Sequence, residues 1–101
     1  MSDAMFLYDV GMDFEVNGVH YESYRNWRTN IQLRAGDIIS IGLVGIDEIA
    51  VRSVVWELGK KGSAFLGLEP QVFEFDAVIA LERVGFICSR LRELAPSPTD
   101  R

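Results

Sequence analysis

The sequence predicts a mainly β protein: a small antiparallel β-barrel of five to seven strands with a C-terminal α-helix. Three observations carry that expectation. Leu33 to Pro70 reads as three apolar, β-rich segments separated by Gly-containing turns. Asn17-Gly18 sits between two stretches of alternating polar and apolar residues. From Ala77 onward the apolar residues recur at steps of three and four, the period of a helix.

The elements follow in order. Met5–Val10 suits a first strand, although its alternation is poor. In Asp13–Ser23, Phe14 and Val16 alternate with Asp13 and Glu15, and Val19 and Tyr21 alternate with His20 and Glu22. Asn17-Gly18 between them tolerates positive φ at both central positions of a type I′ turn, which predicts a tight hairpin. Residues 24–36 are polar and basic and read as an irregular connection, with room for a short strand over Asn30–Leu33. Asp37–Val44, Ile49–Leu58 and Ser63–Leu68 then read as a three-stranded meander, turned at Gly45–Glu48 and at Gly59–Gly62. Short strands at regular spacing suggest a barrel or sandwich. Val72–Phe75 alternates as a last short strand, and Asp76 suits a helix N-cap because its carboxylate can accept from free first-turn amides.

The helix is expected from Ala77 to about Leu94, with Ala77, Leu81, Val84, Cys88, Leu91 and Ala95 on a core-facing stripe. Val78, Ile79 and Phe86 fall off that stripe. A helix apolar on nearly two sides is either covered on both or offers one side to a partner, so these three residues are the candidate docking surface for a protein partner or a homodimer. Residues 1–95 form one expected domain, and 96–101 a flexible tail.

Composition narrows the function. The 101 residues are about half apolar and a quarter charged, the make-up of a globule with one modest core. A net charge of −5 argues against bulk electrostatic binding to nucleic acid, although Arg25, Arg28 and Arg34 fall close together. No apolar stretch approaches the ~20 residues of a membrane span, and the opening MSDAM lacks the basic region and apolar core of a signal peptide. No membrane partner is expected, and the cytoplasm is the expected compartment.

No catalytic or metal site is expected either. Cys88 is the single cysteine and His20 the single histidine, so no zinc site of the usual kind can be assembled. His20 lies on the polar phase of its strand and reads as exposed; Cys88 and Trp56 read as core. Asp9, Asp13, Glu15, Asp47 and Glu48 read as solvated surface charge, because acid–base work needs a coupled partner in a sheltered pocket. Glycines 42, 45, 59, 62 and 67 mark turns and strand bends and do not form a phosphate-binding fingerprint. The best ligand patch is Arg25-Asn26-Trp27-Arg28: two guanidinium groups suited to phosphate oxygens, with an indole face beside them.

Three pieces of the chain together resemble the second half of a PilZ domain: Leu33-Arg-Ala-Gly36-Asp37, Val54-Val55-Trp56 and Gly62-Ser-Ala-Phe65-Leu66-Gly67. The resemblance implies a barrel with a terminal helix, and a non-enzymatic signalling or adaptor module acting through protein–protein contacts, with cyclic di-GMP as the ligand to consider. The family's two ligand motifs are largely missing. Only Met1-Ser-Asp-Ala4 precedes the first strand, where an R-x-x-x-R arm would lie. Tyr21-Glu-Ser23-Tyr-Arg-Asn26 keeps only the serine of [D/N]-x-S-x-x-G. The ligand set to consider is therefore Ser23, Arg25, Asn26, Arg28 and Arg34, with weak binding expected. The competing class is a small structural or assembly barrel subunit with no nucleotide ligand.

Overall fold

A computed structural model describes residues 5–42 and 48–91. Among these the chain forms seven strands and one helix: β1 (Phe6–Val16), β2 (Val19–Thr29), β3 (Ile38–Ile39), β4 (Ile49–Trp56), β5 (Ser63–Leu68), β6 (Gln71–Phe73), α1 (Ala77–Arg83) and β7 (Ile87–Arg90). The strands make one sheet in the order β3-β4-β5-β1-β2-β7, with β6 also paired to β1. The mainly β class stands. The closed antiparallel barrel does not, because the sheet is open and β1 runs parallel to both β5 and β6.

The hairpin follows its sequence signal. Asn17 and Gly18 have φ of 51° and 80°, the positive values a two-residue type I′ turn requires, and β1 and β2 pair in register from Val16↔Val19 to Phe6↔Thr29. Both strands are longer than the sequence suggested. Residues 24–29, expected as an irregular connection, continue β2. Their inward positions are Arg25 and Trp27, amphipathic side chains that hide the alternation in a reading by polarity.

Strands β3, β4 and β5 pair antiparallel in the expected order, with a bulge in β4 between Val51 and Ser53, but of the strand expected over Asp37–Val44 only Ile38–Ile39 is strand among the described residues. β5 and β6 then lie end to end along the same side of β1: Gly11 pairs Gly67, and Phe14 pairs Gln71, so the register slips by one residue across Glu69-Pro70. Pro70 suits that break, since it has no N–H to give a ladder.

One face of the sheet carries the core. Tyr8, Val10, Met12 and Phe14 from β1 meet Ile49 and Val51, Ala64, Leu66 and Leu68, and Phe73, all buried; Leu33 and the Ala77 and Leu81 side of α1 close over them. The buried Tyr8 hydroxyl donates to the Ile31 carbonyl at 3.0 Å and accepts from the Leu33 amide at 2.9 Å, which ties the loop after β2 to the core.

The expected terminal helix is corrected most. It ends at Arg83, and a strand follows where about three further helical turns were expected. Gly85, at φ 98°, stops it: its amide donates to the Glu82 carbonyl, and the Phe86 amide donates to that of Leu81. This pairing is the Schellman arrangement, and the two residues that it joins, Leu81 and Phe86, both belong to the buried core. Phe86 and Cys88 are therefore not helical. Asp76 holds the N-cap position without a side-chain hydrogen bond to the helix. Trp56, expected in the core, is 40% exposed, because it stands at the end of β4 and packs one side on Phe6 and Tyr8. The start of the chain (1–4), the turn around Gly45–Asp47, the 92–95 part of the expected helix and the 96–101 tail lie outside the described residues.

Candidate functional site

Two concavities flank β2, one on each face of the sheet, and strand alternation decides which residues reach which.

On the core side, a cleft of about 180 Å³ is lined by Val10, Arg25, Trp27, Ile39, Ser40, Ile41 and Phe86. It lies between the β3 segment at one edge of the sheet and the β2–β7 side at the other, the seam where a barrel would close. Arg25 is held firmly there. Its Nη1 donates to the carbonyl of Val84, its Nε donates to the Asn26 carbonyl at 3.2 Å, and its guanidinium lies 5.9 Å from the centre of the Phe86 ring. The Val84 carbonyl ends α1, so the cation completes the helix C-terminus where positive charge is favoured. Trp27 packs beside Tyr8, ring centres 6.0 Å apart.

On the solvent side, a trough of about 350 Å³ runs across four strands. Its floor is made by register: Ser53 opposes Gly67, Gly67 pairs Gly11, and Gly11 pairs Tyr24, beyond which Ile87 of β7 continues the row outside the trough. Two adjacent strands each present a glycine at the same level, so no Cβ fills the middle. Val55, Phe65, Asp9 and Asn26 form the neighbouring row, again paired strand to strand. Tyr24, Val55 and Phe65 are exposed, and Ile87 at the end of the first row is 71% exposed. The Tyr24 hydroxyl donates to Glu22 at 3.0 Å, and that bond together with the carboxylate's charge raises the phenol's pKa. Exposed apolar side chains gathered around one concavity are the kind of surface that marks an interaction site.

The sequence-selected ligand residues divide between these faces and the interior. Ser23 is fully buried and donates to the Met12 carbonyl at 2.9 Å, so its hydroxyl serves the β1–β2 pair. Arg25 lines the cleft and also borders the trough with Asn26, and Arg28 is exposed on the opposite side of β2 from Arg25. Arg34 is exposed in a turn whose amide bonds the Asp37 carboxylate at 2.8 Å. The five residues are not brought together as one set: neighbours an odd number apart on a strand point to opposite faces. The docking trio separates as well. Ile79 is 52% exposed on α1, Val78 is partly buried, and Phe86 is buried beyond the helix.

His20 is exposed, as expected, and lies 3.5 Å from Glu15. Cys88 is partly buried on β7, and burial, helped by the negative charge of Glu82, pushes its thiol pKa up. Among the described residues no three His, Cys, Asp or Glu side chains gather as a metal site, and no helix is long and apolar enough to cross a membrane.

The trough escaped the sequence reading because its floor depends on non-local pairing of Gly11 with Gly67. The alternation of Phe65 and Gly67 with buried Ala64, Leu66 and Leu68 was the available signal: it marks apolar Phe65 as facing outward. Comparison with protein families, with characterised proteins and with solved structures finds no match for this chain.

Proposed function

We propose that the chain is a non-enzymatic signalling or adaptor module that works by protein–protein contact, with the solvent face of its sheet as the contact surface. The single observation that carries this reading is the trough floored by Gly11 and Gly67 and walled by Tyr24, Val55 and Phe65. Aromatic residues around a concavity supply the anchors that dominate binding energy at interfaces. The PilZ resemblance of Leu33–Gly67 supports the signalling side of the reading. The surface moves from the helix to the sheet, since Phe86 is buried.

Cyclic di-GMP is the second reading, and the shared cleft of Arg25 and Trp27 supports it. The cleft is smaller than the roughly 300–1,000 Å³ that ligand pockets usually offer, and Asn26 and Arg28 are turned away from it. The geometry therefore favours the protein partner.

The test is affinity capture with the intact chain and with Phe65→Asp, at matched thermal stability. A partner held by the intact chain and by Ile79→Ser but lost by Phe65→Asp supports the sheet face. Retention by Phe65→Asp, with loss by Ile79→Ser, would return the surface to the helix. Self-association abolished by Phe65→Asp would place the chain in the assembly-subunit class.

A further inference from the structure

The cleft at the seam of the sheet holds a charge with no ion-pair partner among the described residues. Arg25 is partly buried, and among the described residues no carboxylate lies within 4.0 Å of it. Its two hydrogen bonds go to neutral carbonyls, those of Asn26 and Val84. A guanidinium carries five N–H donors, so most of its donor capacity remains. The other walls are Val10, Trp27, Ile39, Ile41 and Phe86, all apolar, with Ser40 as the one hydroxyl.

A cation in apolar surroundings is costly unless an anion meets it. The cation here is also pre-set. The Val84 carbonyl, the Phe86 ring and the backbone of Gly85 fix the guanidinium before any ligand arrives, so little freedom is lost on binding. The cleft volume of about 180 Å³ bounds the ligand to a small molecule. We infer that this cleft binds a small organic monocarboxylate with an apolar or aromatic body. The carboxylate accepts from Arg25, and the body lies between Trp27 and the Ile39–Ile41 segment. The cleft opens on the opposite face of the sheet from the trough, with Arg25 bordering both, and a substitution at Ser40, which lines only the cleft, tests it apart from the protein-contact reading.

Phenylacetate is a suitable probe, with phenylacetamide as its uncharged counterpart. Titration of the labelled chain is followed through the two indole N–H resonances. The Trp27 signal should move saturably with phenylacetate while that of Trp56, which does not line the cleft, stays in place. The amide should bind at least about tenfold more weakly, the loss expected when a charge-assisted bond is removed. Arg25→Met removes the cation but also the helix cap; Ser40→Trp, at an exposed lining position, obstructs the cleft with Arg25 intact. Loss of the response in Ser40→Trp, in a chain that still unfolds cooperatively, is the expected result. Equal response to acid and amide, an unmoved Trp27 signal, or unchanged binding in Ser40→Trp would overturn the site.

Discussion

Arg25 and Gly85 are separated by sixty positions in the chain and meet in contact: a Cβ on Gly85 would stand 3.1 Å from Nη1 of Arg25 and 3.3 Å from its Cζ. Gly85 also has φ of 98°, a conformation side chains resist. Gly85→Ala should therefore cost about 1–3 kcal/mol, from backbone strain and displacement of the guanidinium together. Urea unfolding of the single variant and of Arg25→Ala/Gly85→Ala separates the two contributions. The glycine substitution should cost less once Arg25 is gone. Equal costs in both backgrounds, within about 0.5 kcal/mol, would show that the contact contributes nothing.

That junction also shows what the sequence can and cannot reveal. Arg83-Val84-Gly85-Phe86 contains a helix-stop signal: a basic residue in the last turn, then Gly at the position that favours positive φ. The signal is masked because Val84, Cys88 and Leu91 continue the helical period across it, and a short apolar run fits helix and strand alike. Asn17-Gly18 had no such competitor, and its hairpin was legible to the residue. The extent of β2 was not, because its inward positions are filled by Arg25 and Trp27. The parallel pairing of β1 with β5 and β6 leaves no local trace at all, and with it went the expected closed barrel and any view of the trough.

Tyr8 offers a sharper probe of how the loop after β2 is held. Its hydroxyl makes two hydrogen bonds to that loop and is fully buried. Tyr8→Phe keeps the ring and strands the buried amide of Leu33. A buried donor without a partner costs about 1–3 kcal/mol. Hydrogen exchange at Leu33 should accelerate well beyond that at Met12, in the centre of β1. A uniform change across the chain would mean that the hydroxyl has no local tethering role.

Two acids hold their protons more tightly in the folded chain. Burial first, then Glu82, raises the Cys88 thiol above its ordinary value of 9.0, and the hydrogen bond to Glu22 raises the Tyr24 phenol above 10.0. Above those ordinary values the unfolded chain loses these protons first, so folding stability is complete at neutral pH and falls as pH rises past 9. Urea midpoints at pH 7, 9 and 10.5 should decline in that order. Cys88→Ala and Glu22→Gln should each flatten the decline, the second by returning Tyr24 toward an ordinary phenol. A midpoint independent of pH, or one that rises, would contradict the assignment. The thiol itself should react more slowly with a disulfide reagent at pH 8 than a free cysteine does, since the thiolate is the nucleophile.

Gly67 tests the trough without disturbing the core. A Cβ there would stand 2.7 Å from the Ser53 hydroxyl, so Gly67→Ala alone must displace that oxygen. Removing the oxygen as well, in Ser53→Ala/Gly67→Ala, leaves the backbone of Ser53 at 4.0 Å as the nearest remaining obstacle, an ordinary contact. The single variant should lose about 1 kcal/mol, a small overpacking cost. The double variant should recover most of it, because alanine also restricts the unfolded chain more than glycine does. Both variants fill the trough floor. Partner binding should therefore fall in each, by about tenfold or more, and the double variant should show that fall at nearly unchanged stability. Binding that follows stability instead, lost in the single variant and restored in the double, would mean that the trough shape is not what the partner reads.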